Sequence, residues 1–88
     1  MRHFNIKVFG QVQGVFFRTS AKEMADALDI KGFARNEPDG TVYIEAEGEE
    51  ENLKKFLEWC KEGPNFARVE RVEVVEGEVK KFLGFETR

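Results

Sequence analysis

Gly10, Gly14 and Arg18 recur at intervals of four in the stretch GQVQGVFFR, between an alternating apolar run and a helix-type periodicity. Such a stretch can hold a phosphate. The two glycines permit backbone angles that other residues avoid, so successive N–H groups from Gln13, Gly14, Val15, Phe16 and Phe17 can converge on one anion, and a helix start adds a favourable dipole. Arg18 would add the full charge, with a planar guanidinium that can donate two parallel hydrogen bonds to two phosphate oxygens. An ordinary strand-to-helix connection with a surface arginine satisfies the same spacing. The stretch contains neither a Gly-Lys-Ser/Thr run nor the dinucleotide fingerprint, so it is not one of the familiar nucleotide loops.

Residues 10 to 18 match, position for position, the first signature of the acylphosphatases. A second stretch, GFARNEPDGTVYIEAEG from Gly32 to Gly48, resembles the second signature of the same family, with Asn36 and the glycines Gly32, Gly40 and Gly48 in place. Together the two stretches cover about a third of the chain. The resemblance implies a small enzyme that hydrolyses acyl phosphates without a cofactor or metal. It makes Arg18 the phosphate-binding residue and Asn36 the residue that positions the attacking water.

The elements that must position these residues follow from periodicity. Phe4, Ile6 and Val8 alternate with Asn5 and Lys7, a half-buried strand ending at Gly10. Ser20 and Glu23 read as a capping box ahead of Ala21, Met24, Ala25 and Leu28, which predicts a first helix running to about Ile30. Gly32 is placed as its left-handed stop. Phe33 to Asn36 is a short second strand, Glu37-Pro38-Asp39-Gly40 a turn, and Val42, Ile44 and Ala46 mark a third strand. A second helix opens in the acidic run Glu49 to Glu51, buries Leu53, Phe56, Leu57 and Cys60, and ends at Gly63-Pro64. Its Glu50–Lys54 and Glu51–Lys55 spacings suit ion pairs. Val72 and Val74 lie in a fourth strand. Val69 has the opposite parity and marks a turn or bulge, and Phe82 to Thr87 is a short edge strand with Phe85 facing the core.

The order β-α-β-β-α-β is the α+β ferredoxin-like plan, an antiparallel sheet with two helices on one face. Strands one and two, joined by a helical crossover, are then parallel with strand three between them. Arg18 and Asn36 emerge at the same end of the sheet, two inter-strand spacings or roughly 9.6 Å apart. One phosphate and one water fit that gap.

Composition narrows the function. Eighty-eight residues make one domain with room for one site. No run approaches the ~20 apolar residues of a membrane span, and the first ten residues read as a strand and not as a signal peptide. A cytoplasmic monomer is the expectation. Cys60 has no cysteine partner, and with His3 alone beside it there is no soft ligand set for a metal. His3 reads as a strand-surface residue, Cys60 as a buried structural thiol, and Trp59 and Tyr43 as partly exposed packing residues. Net charge −3 disfavours nucleic acid as a partner.

Between Gly10 and Arg18 there is no Ser, Thr, Cys, Asp or Glu, so a phosphate held there has no side-chain nucleophile beside it. Direct attack by water is the natural chemistry. An acyl phosphate suits it, because a carboxylate departs without a strong protonating acid. Two other classes share some of these features: a regulatory domain that binds a phosphate or carboxylate without turnover, and a ferredoxin-like RNA-binding module. The second needs sheet-face aromatics, and here Tyr43 stands beside Glu45 and Glu47, whose charges repel phosphates. Inorganic phosphate or sulfate is expected to compete for the loop.

Charged residues make up 35% of the chain, and Gln occurs only at Gln11 and Gln13, the pattern of proteins from hot environments. Thermal unfolding is therefore expected above the ~45–65 °C typical of mesophilic domains. A calorimetric midpoint inside that range at neutral pH refutes it.

Overall fold

The computed structural model describes all 88 residues. Strand β1 (Arg2–Gln11) leads into helix α1 (Phe17–Ala27), followed by β2 (Lys31–Asn36), β3 (Val42–Gly48), helix α2 (Glu50–Glu62), β4 (Arg68–Gly77) and a short β5 (Phe85–Thr87). The sheet order is β4-β1-β3-β2-β5. Pairs β1·β3, β1·β4 and β2·β3 are antiparallel, and β2·β5 is parallel. The expected purely antiparallel sheet is thus mixed, because β5 enters at the far edge running alongside β2. The ferredoxin-like α+β plan is unchanged.

Alternation decides which face carries the core. Phe4, Ile6 and Val8 of β1 stand opposite Ala46, Ile44 and Val42 of β3, and all six are buried against the helices. Helix α1 contributes Phe17, Ala21 and Ala25, and α2 contributes Leu53, Phe56 and Cys60. Phe56 meets Phe85 at 5.9 Å between ring centroids, and Phe17 meets Trp59 at 5.2 Å, tilted geometries that aromatic rings prefer.

Several boundaries move. Ser20 already donates its N–H to the Phe16 carbonyl at 3.0 Å, so it lies inside the first turn of α1 and does not cap it. At the other end the left-handed residue is Asp29 (φ 55), not Gly32. Gly32 belongs to β2, where a Cβ would fall 1.8 Å from the Glu45 carbonyl oxygen. Close backbone contact, not helix termination, requires a glycine there. Glu50–Lys54 and Glu51–Lys55 are not ion pairs; Glu50 turns instead to Arg2 of β1. The parity change at Val69 is a bulge: Phe9 pairs with Arg71 and Gly10 with Val69, leaving Glu70 extra.

His3 is the largest departure. It is 1% exposed, not a surface residue. Its parity puts it on the helix-free face, yet β4 and β5 occupy opposite edges of the sheet, and the chain between them must cross. Four inter-strand gaps span about 19 Å, within the ~24 Å reach of the seven residues Glu78 to Gly84. That segment crosses over His3. Glu47 fixes it: its carboxylate accepts the N–H of Lys80 at 2.8 Å and of Phe82 at 2.6 Å, and His3 Nδ1 lies 2.8 Å away. The Phe82 ring stacks on His3 and meets Phe33 edge-on. Glu45 holds Lys80 Nζ at 2.7 Å and accepts the Tyr43 hydroxyl at 2.8 Å. No buried side-chain polar atom in the structure lacks a partner.

Burial raises the Glu47 carboxyl, but hydrogen bonds from His3 and from the Lys80 and Phe82 N–H groups outweigh it, so the group sits below the usual carboxylate range. A carboxyl held low in the folded state stabilises the fold above its ordinary range and loses that contribution as pH falls through it. Glu47→Ala removes this anchor and leaves His3 and the Lys80 and Phe82 N–H groups without their acceptor, which should cost about 3 kcal/mol or more at about 1–3 kcal/mol per unpaired buried group. Thermal unfolding at pH 7 should fall by roughly 10 °C or more, with a shallower loss of stability between pH 5 and 3 than in the parent. Parallel acid profiles in the two proteins would refute the assignment.

Candidate active site

Between β1 and α1 the chain passes through Gly14 at φ 73 and Phe16 at φ 65, both left-handed. A Cβ at Gly14 would meet nothing within 4 Å, so glycine is suited here by backbone angle alone. The result is a tight reversal whose main-chain N–H groups from Gln13 to Phe16 donate no hydrogen bond within the protein. Helix α1 then starts with no side-chain cap and no acidic residue in its first turn. A helix start ordinarily gains from a carboxylate or a capping oxygen. This one carries Arg18 instead.

A concavity of about 260 Å³ opens over this junction, lined by Val12, Gly14, Phe16, Phe17, Arg18, Thr19 and Asn36. It brings together both residues the resemblance singled out. Arg18 is half-buried, and its Nη1 donates to the Arg88 main-chain oxygen at 2.8 Å. Arg88 is itself tied to β2 through its N–H to the Ala34 carbonyl at 2.8 Å. The guanidinium is thereby oriented with most of its five N–H donors uncommitted. Asn36 ends β2 on the helix side of the sheet, in register with Val42.

Of the loop residues, Gly14, Phe16, Phe17 and Arg18 line the concavity, while Gln13 and Val15 do not. Gln13 has a different task. Its Nε2 donates to the Glu37 and Thr41 carbonyls at 2.8 and 2.9 Å, tying the loop to the turn between β2 and β3. That turn is braced from within: Asp39 accepts the Thr41 N–H and hydroxyl and pairs with Lys7 at 2.9 Å. Those bonds hold the Asp39 carboxyl well below its ordinary range. Glu37 pairs with Arg35 at 3.1 Å. Neither carboxylate lines the concavity. Thr19 and Val12 do, without having been singled out in the sequence. A helix start at Phe17 would have signalled Thr19, but the Ser20–Glu23 pattern drew the start one turn too late. Phe17 is core and Phe16 is solvent-facing.

The chain is thus an α+β protein of ferredoxin-like plan with uncommitted N–H groups and an arginine at its first strand-to-helix junction. Comparison with known proteins narrows it. The acylphosphatase family model matches residues 4–87. A protein named acylphosphatase from Ligilactobacillus salivarius is 46% identical over 86 residues, covering 97% of this chain and 96% of its own. Another from Archaeoglobus fulgidus is 49% identical over 81 residues, 92% and 91% of the two chains. The crystal structure of acylphosphatase from Bacillus subtilis superposes with a TM-score of 0.97 at 36% identity, covering 100% of this chain and 99% of that one. This chain belongs to the acylphosphatase family and is an enzyme of that family.

Proposed function

We propose that this protein hydrolyses small acyl phosphates to a carboxylate and inorganic phosphate by direct attack of water. One observation carries the mechanism: Gly14 and Phe16, from the run of uncommitted N–H groups, line one concavity with Arg18 at a helix start that has no side-chain cap and no acid in its first turn. In this reading the loop N–H groups and Arg18 hold the three non-bridging oxygens of the phosphoryl group. The side chain of Asn36 holds a water in line with the leaving oxygen. The water oxygen bonds to phosphorus as the bond from phosphorus to the acyl oxygen breaks. The electron pair of the broken bond leaves with the carboxylate, and both hydrogens of the water stay with the phosphate product, one on the new P–O oxygen and one passed to a neighbouring phosphate oxygen. Phosphoryl transfer of this kind rests on positioning and charge stabilisation, which the loop and Arg18 are equipped to supply.

The same proposal includes a cytoplasmic monomer that needs no cofactor or metal. Cys60 is free and buried, and no three or more His, Cys, Asp or Glu side chains are grouped to hold an ion. An RNA-binding role finds less support. The sheet face such modules use is crossed by residues 78–84 and carries Glu45 and Glu47 beneath them. No helix is long and apolar enough to cross a membrane.

Initial rates with benzoyl phosphate, with and without a chelator, test the reaction. No turnover above the spontaneous rate refutes it, and loss on chelation refutes the metal-free route. Inorganic phosphate and sulfate should inhibit by raising the apparent KM. Inhibition that lowers only the maximum rate counts against a shared site.

The two side chains are separable. Arg18→Ala should abolish turnover and weaken phosphate binding together, since the charge serves both ground and transition states. Asn36→Ala should lower kcat by ~10²-fold or more while leaving the phosphate inhibition constant nearly intact, on the scale of removing one positioned polar group. Equal loss of phosphate affinity in both variants, or near-normal turnover of Asn36→Ala, overturns the division of roles.

A further inference from the structure

Phe16 is unexplained by anything the fold requires. It stands at the N-cap of α1, where Ser, Thr, Asp, Asn or Gly satisfy free N–H groups, and it offers no capping oxygen. Its backbone is left-handed, with φ 65 and ψ 23, a conformation that costs a bulky side chain about 1–3 kcal/mol. Burial of the ring does not offset that cost, because Phe16 is 70% exposed. The adjacent Phe17 shows what a packing role looks like here: it is buried and meets Trp59. Phe16 instead lines the concavity alongside Gly14, Arg18 and Asn36.

An exposed aromatic ring in a strained conformation at the rim of an anion site has one remaining physical use, contact with the part of a ligand that lies beyond the anion. We infer that Phe16 is the platform for the acyl group, and that it selects acyl phosphates whose acyl group is flat and unsaturated, aromatic above all, over short alkyl ones. This rests on the hydrolytic reading given above and extends it to the leaving group. Once the phosphoryl oxygens are held by the loop, the acyl carbon lies two bonds from phosphorus, outside the cradle. Two rings belong to residues that line the concavity, and of these Phe17 is buried in the core while Phe16 is exposed. A flat acyl group can lie against the ring and shed water from both faces, which a methyl group does far less well.

The contact is made equally in the ground and transition states, so its signature is selectivity between ligands and not the chemical rate. Two phosphonates that share the anionic head supply a probe independent of turnover: 2-phenylethylphosphonate, with a ring two atoms from phosphorus, and ethylphosphonate, without one. Calorimetric titration of the parent protein should give roughly 3–10-fold tighter binding of the phenyl compound, the range measured for aromatic pairs. In Phe16→Ala that ratio should fall toward one, and in Phe16→Tyr it should persist. Taking a ratio cancels any general change in the loop, and a thermal midpoint for each variant confirms that it is folded. The same change should appear in kcat/KM for benzoyl phosphate relative to acetyl phosphate.

A parent ratio near one, or a ratio unchanged in Phe16→Ala, overturns the inference. If both acyl phosphates are hydrolysed and the ratio ignores position 16, the platform is wrong and the reaction stands. If neither is hydrolysed but phosphonate selectivity depends on position 16, the platform stands and the reaction is wrong.

Discussion

Strand β3 pairs antiparallel with β1 on one side and with β2 on the other, and the site depends on that double pairing. It forces β1 and β2 to run parallel, with their C-terminal ends at the same edge. The loop leaving β1 and the last residue of β2 therefore face each other across the tip of β3. Because a one-residue slip would turn the Phe4–Ile6–Val8 face outward, and a longer one would unmatch it from Ala46, Ile44 and Val42, the buried core fixes the register. Gln13 carries the same constraint one step further. By bonding the carbonyls of Glu37 and Thr41, it ties the loop to the hairpin turn that directly follows Asn36.

A second constraint comes from the edges. With β4 and β5 on opposite sides of the sheet, the connection between them must cross a face, and the helices occupy one face entirely. The crossing chain brings unpaired N–H groups onto a sheet surface, where burial without acceptors would be costly. Glu47 resolves this by accepting two of them while bonding His3. The acidic residues of β3 therefore serve the closed face. Glu45 and Glu47 are thus committed under residues 78–84, while Asp39 and Glu37, in the turn beside the loop, are paired with Lys7 and Arg35.

Much of this was legible in the sequence because it is local. The strand alternations, the apolar stripe of α2 and the turn at Pro38 are all set by residues within one or two turns of each other. The loop was legible for a related reason: glycines and an arginine at fixed spacing encode a backbone shape and a charge directly. Burial of His3 was not legible, since the segment that covers it lies more than seventy residues away in the chain. The misplaced end of α1 has a different cause. Asp29 takes the left-handed turn that glycine usually takes, which short polar side chains tolerate, while Gly32 is needed only because another backbone passes close to it. Sequence shows that a glycine is present and not which of its two uses applies.

The loop also shows why local rules fail where function is concentrated. Three choices at the start of α1 oppose helix stability: a left-handed phenylalanine at the cap, no carboxylate in the first turn, and an arginine near the positive end of the dipole. Each would be improved by a common substitution, and each improvement would place a carboxylate, a hydroxyl or a closed hydrogen bond where the proposed mechanism puts the phosphoryl group. The helix tolerates them because its other side is secured. Phe17, Ala21 and Ala25 are buried, Lys22 bonds the Phe85 carbonyl at 3.0 Å, and Arg18 is held by the Arg88 main chain. Stability therefore comes from the packed face and the β5 edge, which frees the first turn to be built for a ligand.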